Sequence, residues 1–405
     1  MGKLYVGVGG TARKVNKLYV GVNGVARRVK KLYVGVNGVA RKVFSSEPSY
    51  YGTATALSAN RTSIAGVSFG GYALFAGGTT SWQAFAGYTF VGTVEAYNSS
   101  LTKTSLTAMS TYSTTLGYNR PSHALSATTV GNYVLFGSGP VNTTRIYAYD
   151  TSFTQSIILL SDSKSRIAAT HVGNYALFAG GGDNSSTYCS VDALDTSLTV
   201  TSATNLPNPN GAVWKPYYYL ESMAATNVGN YAIFAGGRSS SLDDTTCVAK
   251  AFAYDSSLTV SMPTDLSVGR AYMAATSVGN YALFGGGAYE SSSSAVYVDS
   301  VDAYDSSLTK SNATALSVAR SSLSATILDD YAMFGGGVYY SDSNYWSNLV
   351  EAYDGSLTKS TLDSNLSVGR SSLGAASVGN YALFAGGTLS NANADFSNVV
   401  DVYEI

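Results

Sequence analysis

Charge is scarce in this chain. Asp, Glu, Lys and Arg make up only 12% of its 405 residues, against roughly 25% in an ordinary soluble domain, so the sequence resembles an all-β extracellular or particle-associated protein more than a cytosolic enzyme. The two cysteines, Cys189 and Cys247, stand 58 residues apart in different repeats, which gives neither a disulfide framework nor a metal-ligand spacing. The two histidines, His123 and His171, fall at different phases of the repeat described below, so they form no obvious pair. No run approaches the ~18 apolar residues of a membrane span. The opening "MGKLYVGVGG" lacks the apolar core of a secretory signal. These absences predict a chain with no metal site, no cofactor and no membrane insertion; if it works outside a cell, it leaves by another route, such as lysis or as part of an assembled particle.

Glycine (42) and tyrosine (32) are plentiful, with Ser, Thr and Asn supplying most of the polar surface. The net charge of −1 hides an uneven split, because residues 1–44 carry ten basic and no acidic side chains, leaving a net −11 in the rest. Such a split marks two regions with different partners.

The first region is a tandem 14-mer: "KLYVGVGGTARKVN", "KLYVGVNGVARRVK", "KLYVGVNGVARKVF". Gly9-Gly10, Asn23-Gly24 and Asn37-Gly38 separate β-type runs, and such dipeptides favour type I′ hairpins because both central residues need φ > 0. A short β-meander is expected, with a bend near Lys30-Lys31 where the apolar phase breaks. A segment this small is marginal alone. It has no aromatic stacking platform and no helix for a groove, which argues against nucleic acid. The basic residues Arg13, Lys14, Arg27, Arg28, Arg41 and Lys42 then form either a solvated strand face or a surface for docking to an acidic partner or for self-assembly.

The second region repeats the decamer "VGNYALFAGG" in seven versions. Their tyrosines, Tyr72, Tyr133, Tyr175, Tyr231, Tyr281, Tyr331 and Tyr381, are spaced by 61, 42, 56, 50, 50 and 50 residues. A period near 50 marks a β-propeller array. One period reads as four strands: "RSSLSATIL" (320–328) with small residues for the crowded axis, apolar "YAMFGGG" (331–337) sandwiched between blades, "VEAYD" (350–354), and "SLTKSTLDSNLS" (356–367). The fold class is therefore an all-β, seven-bladed propeller of four-stranded blades. The last repeat ends in a third strand, "VVDVYEI" (399–405), while "ATALSANR" (54–61) matches "ATALSVAR" (313–320). An N-terminal strand at 54–61 is thus expected to complete the last blade and remove its free edge, with 45–53 as linker and 54–405 as the propeller.

The Gly-Gly doublet after an apolar strand, followed at a distance by Tyr-Asp, resembles a kelch repeat across residues 54–405. Where kelch units usually carry a Trp after the third strand, this chain has Leu101, Phe153, Leu198, Leu258, Leu308 or Leu357. The "KLYVGVNGVARKV" repeats resemble segments of tail-associated proteins from phages of Gram-positive bacteria.

The turns between strands one and two and between strands three and four are short and nearly constant. Asp150, Asp195, Asp255, Asp305 and Asp354 in them read as Asx-turn formers. The other face collects loops that vary from repeat to repeat, rich in Tyr, Trp, Ser and Asn, as a binding surface would be. Trp82, Trp214, Tyr217, Tyr218, Tyr340, Tyr345 and Trp346 are its candidate ligand-binding residues. The same face carries Arg61, Arg270, Arg320 and Arg370, each 11 residues before its tyrosine, with Arg120 and Arg166 offset. Kelch propellers that bind acidic peptides place arginines at such positions, so the resemblance implies a carboxylate- or sulfate-bearing ligand at the pore mouth. The alternative is that each arginine hydrogen-bonds backbone in the neighbouring blade.

Neither a copper-radical oxidase set of two His, two Tyr and a cross-linked Cys nor the sialidase Asp-box appears. Paired carboxylates are a spatial matter that sequence leaves open. The expectation is a non-enzymatic virion protein, whether tail fibre, receptor-binding or decoration protein. Residues 1–44 would dock to other particle proteins or self-associate, and the propeller would recognise a host cell-surface glycan or protein. A bacterial surface lectin, or a purely structural particle component, is the alternative.

Overall fold

The computed structural model describes the chain apart from residues 1–4, 9–10, 16–17, 23–24, 30, 37–38, 84–86, 111–124, 138–142, 182–188, 208–218, 242–243, 292–293, 342, 361, 363 and 391–394. Every helix or strand among the described residues is a β-strand. Seven four-stranded antiparallel sheets form the blades of a propeller. Blade 1 runs Ala65–Phe69, Tyr72–Ala76, Val94–Asn98, Lys103–Ser105, and blades 2 to 7 repeat this order, with second strands beginning at Tyr133, Tyr175, Tyr231, Tyr281, Tyr331 and Tyr381.

First strands line the axis and pack on one another around the ring, Ala274–Val278 against Ser324–Leu328 and finally Gly374–Val378 against Ala65–Phe69. The crowding explains their small residues. A Cβ added to Gly66 would lie 2.3 Å from the carbonyl oxygen of Ala375 in the last blade. Second strands are buried on both faces, as their unbroken apolar runs predict. Phe75, Phe136, Phe178, Phe234, Phe284, Phe334 and Phe384 have no exposed surface. Among the described residues the core is accordingly seven apolar clusters, each spanning two neighbouring blades. One of them joins Leu283, Val301 and Ala303 of blade 5 to Ala332, Phe334 and Tyr353 of blade 6.

A tyrosine clamp ties successive blades together. Tyr304 sets its ring edge-on to Phe284 at 5.9 Å and donates its hydroxyl to the Thr264 carbonyl at 2.7 Å, in the stretch leaving the blade before. Tyr97, Tyr149 and Tyr254 repeat the bond to Thr55, Thr107 and Thr204.

The ring closes as expected in kind but not in place. Ser49–Thr53 is the outer strand of the last blade, pairing antiparallel with Phe396–Glu404 from Glu404↔Ser49 to Asp401↔Thr53. The stretch read as a linker therefore holds the closing strand, and 54–61 trails it along the same edge, with Ala54, Leu57 and Arg61 donating to Val400, Asn398 and Ser397. The match of 54–61 to 313–320 was sound. In blade 5, too, residues 314–320 follow the fourth strand, Lys310–Ala313, so the strand lies just upstream of the matched letters.

Residues before the propeller form three separate hairpins in place of a meander: Tyr5–Val8 with Thr11–Lys14, Tyr19–Val22 with Val25–Arg28, and Lys31–Val36 with Val39–Ser45. The registers Val8↔Thr11, Val22↔Val25 and Val36↔Val39 pair the residues on either side of each Gly-Gly or Asn-Gly dipeptide, and the dipeptides themselves lie outside the described residues. At the expected bend one strand ends at Arg28 and the next begins at Lys31, and Lys30 lies outside the described residues.

Candidate ligand-binding face

One face of the propeller is made of turns that all solve the same problem. Asp305 accepts the backbone N–H of Ser307 at 2.8 Å and of Thr309 at 2.9 Å, and Asp150, Asp195, Asp255 and Asp354 do likewise, with Asn98 in blade 1. These are the Asx turns read from the sequence. Their side-chain oxygen holds the Leu or Phe three residues on in the left-handed region, where φ is 61° at Leu308.

The opposite face departs from the sequence reading in form. What read as variable loops are β-hairpins: Thr79–Gln83 with Gly87–Phe90, Arg238–Ser241 with Asp244–Cys247, Ala288–Ser291 with Ser294–Tyr297, and Val338–Ser341 with Ser343–Trp346. Blade 7 instead extends its second and third strands as far as Thr388↔Phe396. Single bridges such as Ala271↔Ala288 and Ser321↔Val338 pin the hairpin bases to the loops that enter the first strands. On the blade 6 hairpin, Tyr340 and Tyr345 are 62% and 46% exposed, Tyr339 stacks on Tyr345 at 5.6 Å, and Trp346 is half-buried. Trp82 lies on a described strand, but its side chain is outside the description, and Trp214, Tyr217 and Tyr218 fall outside the described residues.

The arginine ring is corrected by burial. Arg61, Arg270, Arg320 and Arg370 have no exposed surface, so they present nothing to a ligand at the pore mouth. Each pairs with a carboxylate on the third strand of its own blade: Arg61 with Glu95, Arg270 with Asp302 at 2.8 Å, Arg320 with Glu351 at 2.7 Å, Arg370 with Asp401 at 2.7 Å. The Arg270 side chain also donates to the carbonyls of Gly286, Phe284 and Val268. The alternative reading was closer but reversed the roles. The side chain holds its own blade, and the backbone holds the neighbour, as Gly237 N–H of blade 4 donates to the Arg270 carbonyl at 2.9 Å. The glycine doublet makes this approach possible, for a Cβ on Gly286 (φ +68°) would stand 2.6 Å from the Arg320 carbonyl.

Sequence reasoning missed the joint in blade 3, where Lys164 replaces arginine and meets Asp192 at 2.9 Å. Arg166, two residues later, pairs with Glu221 of the next blade. Blade 4 replaces charge altogether, with Leu220 at the arginine position and Phe252 at the carboxylate position, both fully buried. Burial alone would raise the Asp302 carboxyl, but Arg270 and then Lys310 outweigh it and hold it below the usual range. Glu351 is held low against burial in the same way by Arg320 and Ser317.

Two residues past each of the five buried cations, and past Leu220 in blade 4, a non-glycine residue sits at positive φ: Ser63, Arg166, Ser222, Tyr272, Ser322 and Ser372. Their amides pass hydrogen bonds from blade to blade, from Ser63 to the Ser372 carbonyl, Ser372 to Ser322, and Ser322 to Tyr272, at 2.8 to 3.0 Å. This ring rims an axial cavity of about 300 Å³ floored by one apolar side chain per blade, from Ile64 to Leu373. No carboxylate, histidine or cysteine is among its described lining residues. A second cavity, of about 400 Å³, opens beside the blade 5 hairpin and shares Tyr272, Ser322 and Ser372 with the first. His171 lies in the first strand of blade 3, its ring against the Asn227 side chain at 3.2 Å, and burial lowers its pKa. His123 is outside the described residues. Cys189 and Cys247 are not joined in a disulfide. No group of three or more His, Cys, Asp or Glu able to hold a metal occurs among the described residues.

Comparison with protein-family models and with curated protein sequences finds no match. The solved structure of YjhT is similar over 69% of this chain and 94% of that one, at 13% identity and a TM-score of 0.53. At that identity the likeness concerns the fold alone. The chain is a seven-bladed β-propeller.

Proposed function

We propose that this chain is a non-enzymatic recognition protein of a phage particle, a tail-fibre, receptor-binding or decoration protein whose propeller binds a host cell-surface glycan or protein. One observation carries the recognition half. The seven blades share one four-stranded scaffold, yet the hairpins on one face differ in sequence and display exposed tyrosines such as Tyr340 and Tyr345. Aromatic and hydroxyl side chains on a rigid base are the make-up of a paratope. The axial cavity has an apolar floor, as binding pockets commonly do.

The particle half rests on the N-terminal hairpins. Two-stranded ribbons are marginal alone, and Tyr19, Val20, Tyr33 and Val34 are 45 to 55% exposed on them. In this reading Arg13, Lys14, Arg27, Arg28, Arg41 and Lys42, on the second strand of each hairpin, meet other particle proteins or further copies of the chain. Deleting 1–44 should leave the propeller folded and abolish incorporation into particles. Particles that retain the truncated chain would refute the docking role. Purified full-length chain should adhere to host cells, and unchanged adherence after Tyr340→Ala with Tyr345→Ala would remove the blade 6 hairpin from the site.

A further inference from the structure

Four blades put a small residue just after the second glycine and an aromatic residue opposite it in the hairpin ladder: Thr79 with Phe90, Ala288 with Tyr297, Val338 with Trp346, Thr388 with Phe396. Blade 4 breaks this pattern with Arg238 opposite Cys247. The missing ring leaves space, and both residues line the cavity of about 400 Å³ beside the blade 5 hairpin, a size within the roughly 300–1,000 Å³ of small-molecule sites.

A second departure lies on the same wall. The left-handed position of the axial ring is serine in blades 1, 4, 6 and 7 and arginine in blade 3, but in blade 5 it is Tyr272, at φ 58°. A bulky side chain there is an outlier that the surrounding structure must hold in place. The two exceptions touch: Arg238, 4% exposed, donates to the Tyr272 phenol at 3.2 Å and pairs at 3.0 Å with Glu290, whose side chain is 59% exposed. Tyr289 and Tyr297 line the same cleft.

We propose that this cleft between blades 4 and 5 binds one neutral sugar ring. The proposal rests on the recognition reading above and gives it a specific contact. Arg238 supplies hydrogen-bond donors and Glu290 an acceptor within one ion pair, the arrangement that two neighbouring hydroxyls of a sugar satisfy, since each hydroxyl both donates and accepts. The guanidinium charge is already balanced, so an anionic ligand would meet the Glu290 carboxylate. The tyrosine rings offer flat apolar surface to the C–H face of the sugar. Burial pushes the Cys247 thiol up, so it adds no charge to the cleft.

The repeats provide the test variants, since each substitution installs a residue type that other blades carry at that position: Tyr272→Ser, Cys247→Phe and Arg238→Thr. The full chain is titrated, by saturation-transfer NMR, with methyl glucoside, methyl galactoside, methyl mannoside, N-acetylglucosamine and methyl glucuronide. At least one neutral sugar should bind, and all three variants should bind it at least about tenfold more weakly. Tyr272→Ser should do so without a lower melting temperature, because it relieves the left-handed tyrosine. Binding of the glucuronide alone, binding of no neutral sugar, or unchanged affinity in Tyr272→Ser and Cys247→Phe would each overturn the assignment. Cell adherence separates the two readings. Equal adherence of wild type and Tyr272→Ser overturns the cleft and leaves recognition standing, whereas sugar binding at the cleft without adherence to cells leaves the cleft standing and removes host recognition.

Discussion

The two faces of the disc are built from the same seven repeats and obey opposite rules. On the turn face blades 1 to 6 repeat one solution, an Asx turn with a left-handed Leu or Phe, because the backbone conformation itself is what the ring needs there. On the hairpin face each blade goes its own way above a common base. The base explains the freedom. The buried cation fastens the carbonyls at the end of its second strand, and its own carbonyl takes the glycine N–H of the neighbouring blade, so the hairpin contributes little to closure and can vary. Scaffold and display are separated by a layer one side chain thick.

The largest effects should come from breaking that layer. Removing one partner of a buried ion pair strands the other charge, so Asp302→Ala is expected to cost about 3–5 kcal/mol in urea unfolding. The contrast with blade 4 sharpens the point, since Leu220 and Phe252 show that the same place tolerates an apolar pair. Arg270→Leu combined with Asp302→Phe should recover most of the loss, and a double variant no more stable than Asp302→Ala would mean that the charge itself is required. Strong coupling between the two sites is what a shared pair predicts.

This layer also marks where reading the sequence fell short. The count of blades, the pleat of each blade and the Asx turns were legible because they are local: a strand and its turn lie within a dozen residues. The arginines misled because their partners lie 31 to 34 residues on, in "VEAY", "VDAY" and "VDVY". Yet the rule was written there. A carboxylate follows the Val of "VEAY", "VDAL", "VDAY" or "VDVY" in the third strands of blades 1, 3, 5, 6 and 7, and in each of them the residue four before the first strand is Arg or Lys. Where it is Phe252, the cation is Leu220. Lys164 was overlooked because Arg166 stood closer to the expected letter. The closing strand was misplaced because the matched letters belong to the loop after it. The hairpins stayed hidden because their sequences share no wording, only the alternation of a short ladder.

A smaller effect is expected from pH, with both arms traceable to buried groups. Asp302 and Glu351 are held below their ordinary range in the folded chain, so their stabilisation is present above the unfolded values of about 4 and fades as pH falls through the folded ones. Two tyrosines work in the other direction. Burial, then Asp401, which accepts its hydroxyl at 2.8 Å, raises Tyr50 of the closing strand to about 12, and burial raises the clamp residue Tyr149 to about 12. Their contribution is complete below the unfolded value of about 10 and is lost as pH rises through the folded one. Melting temperature against pH should therefore form a plateau bounded on the acid side near pH 4 and on the alkaline side above about pH 10. Arg270→Leu with Asp302→Phe should soften the acid edge alone, and an unchanged edge would exclude that joint as its source.

The smallest effects on stability should distinguish the faces most sharply. Asp305→Ala deprives two amides of their acceptor and leaves Leu308 in the left-handed region unsupported, which should cost about 1 kcal/mol without touching ligand binding. Tyr340→Ser on the hairpin face removes a side chain that is 62% exposed and should fall within about 0.5 kcal/mol of wild type. In adherence assays the order should invert, with Asp305→Ala indistinguishable from wild type and Tyr340→Ser impaired. If both variants changed stability and adherence together, the hairpins would belong to the scaffold after all. The separation of faces would then be a matter of sequence variation and not of energy.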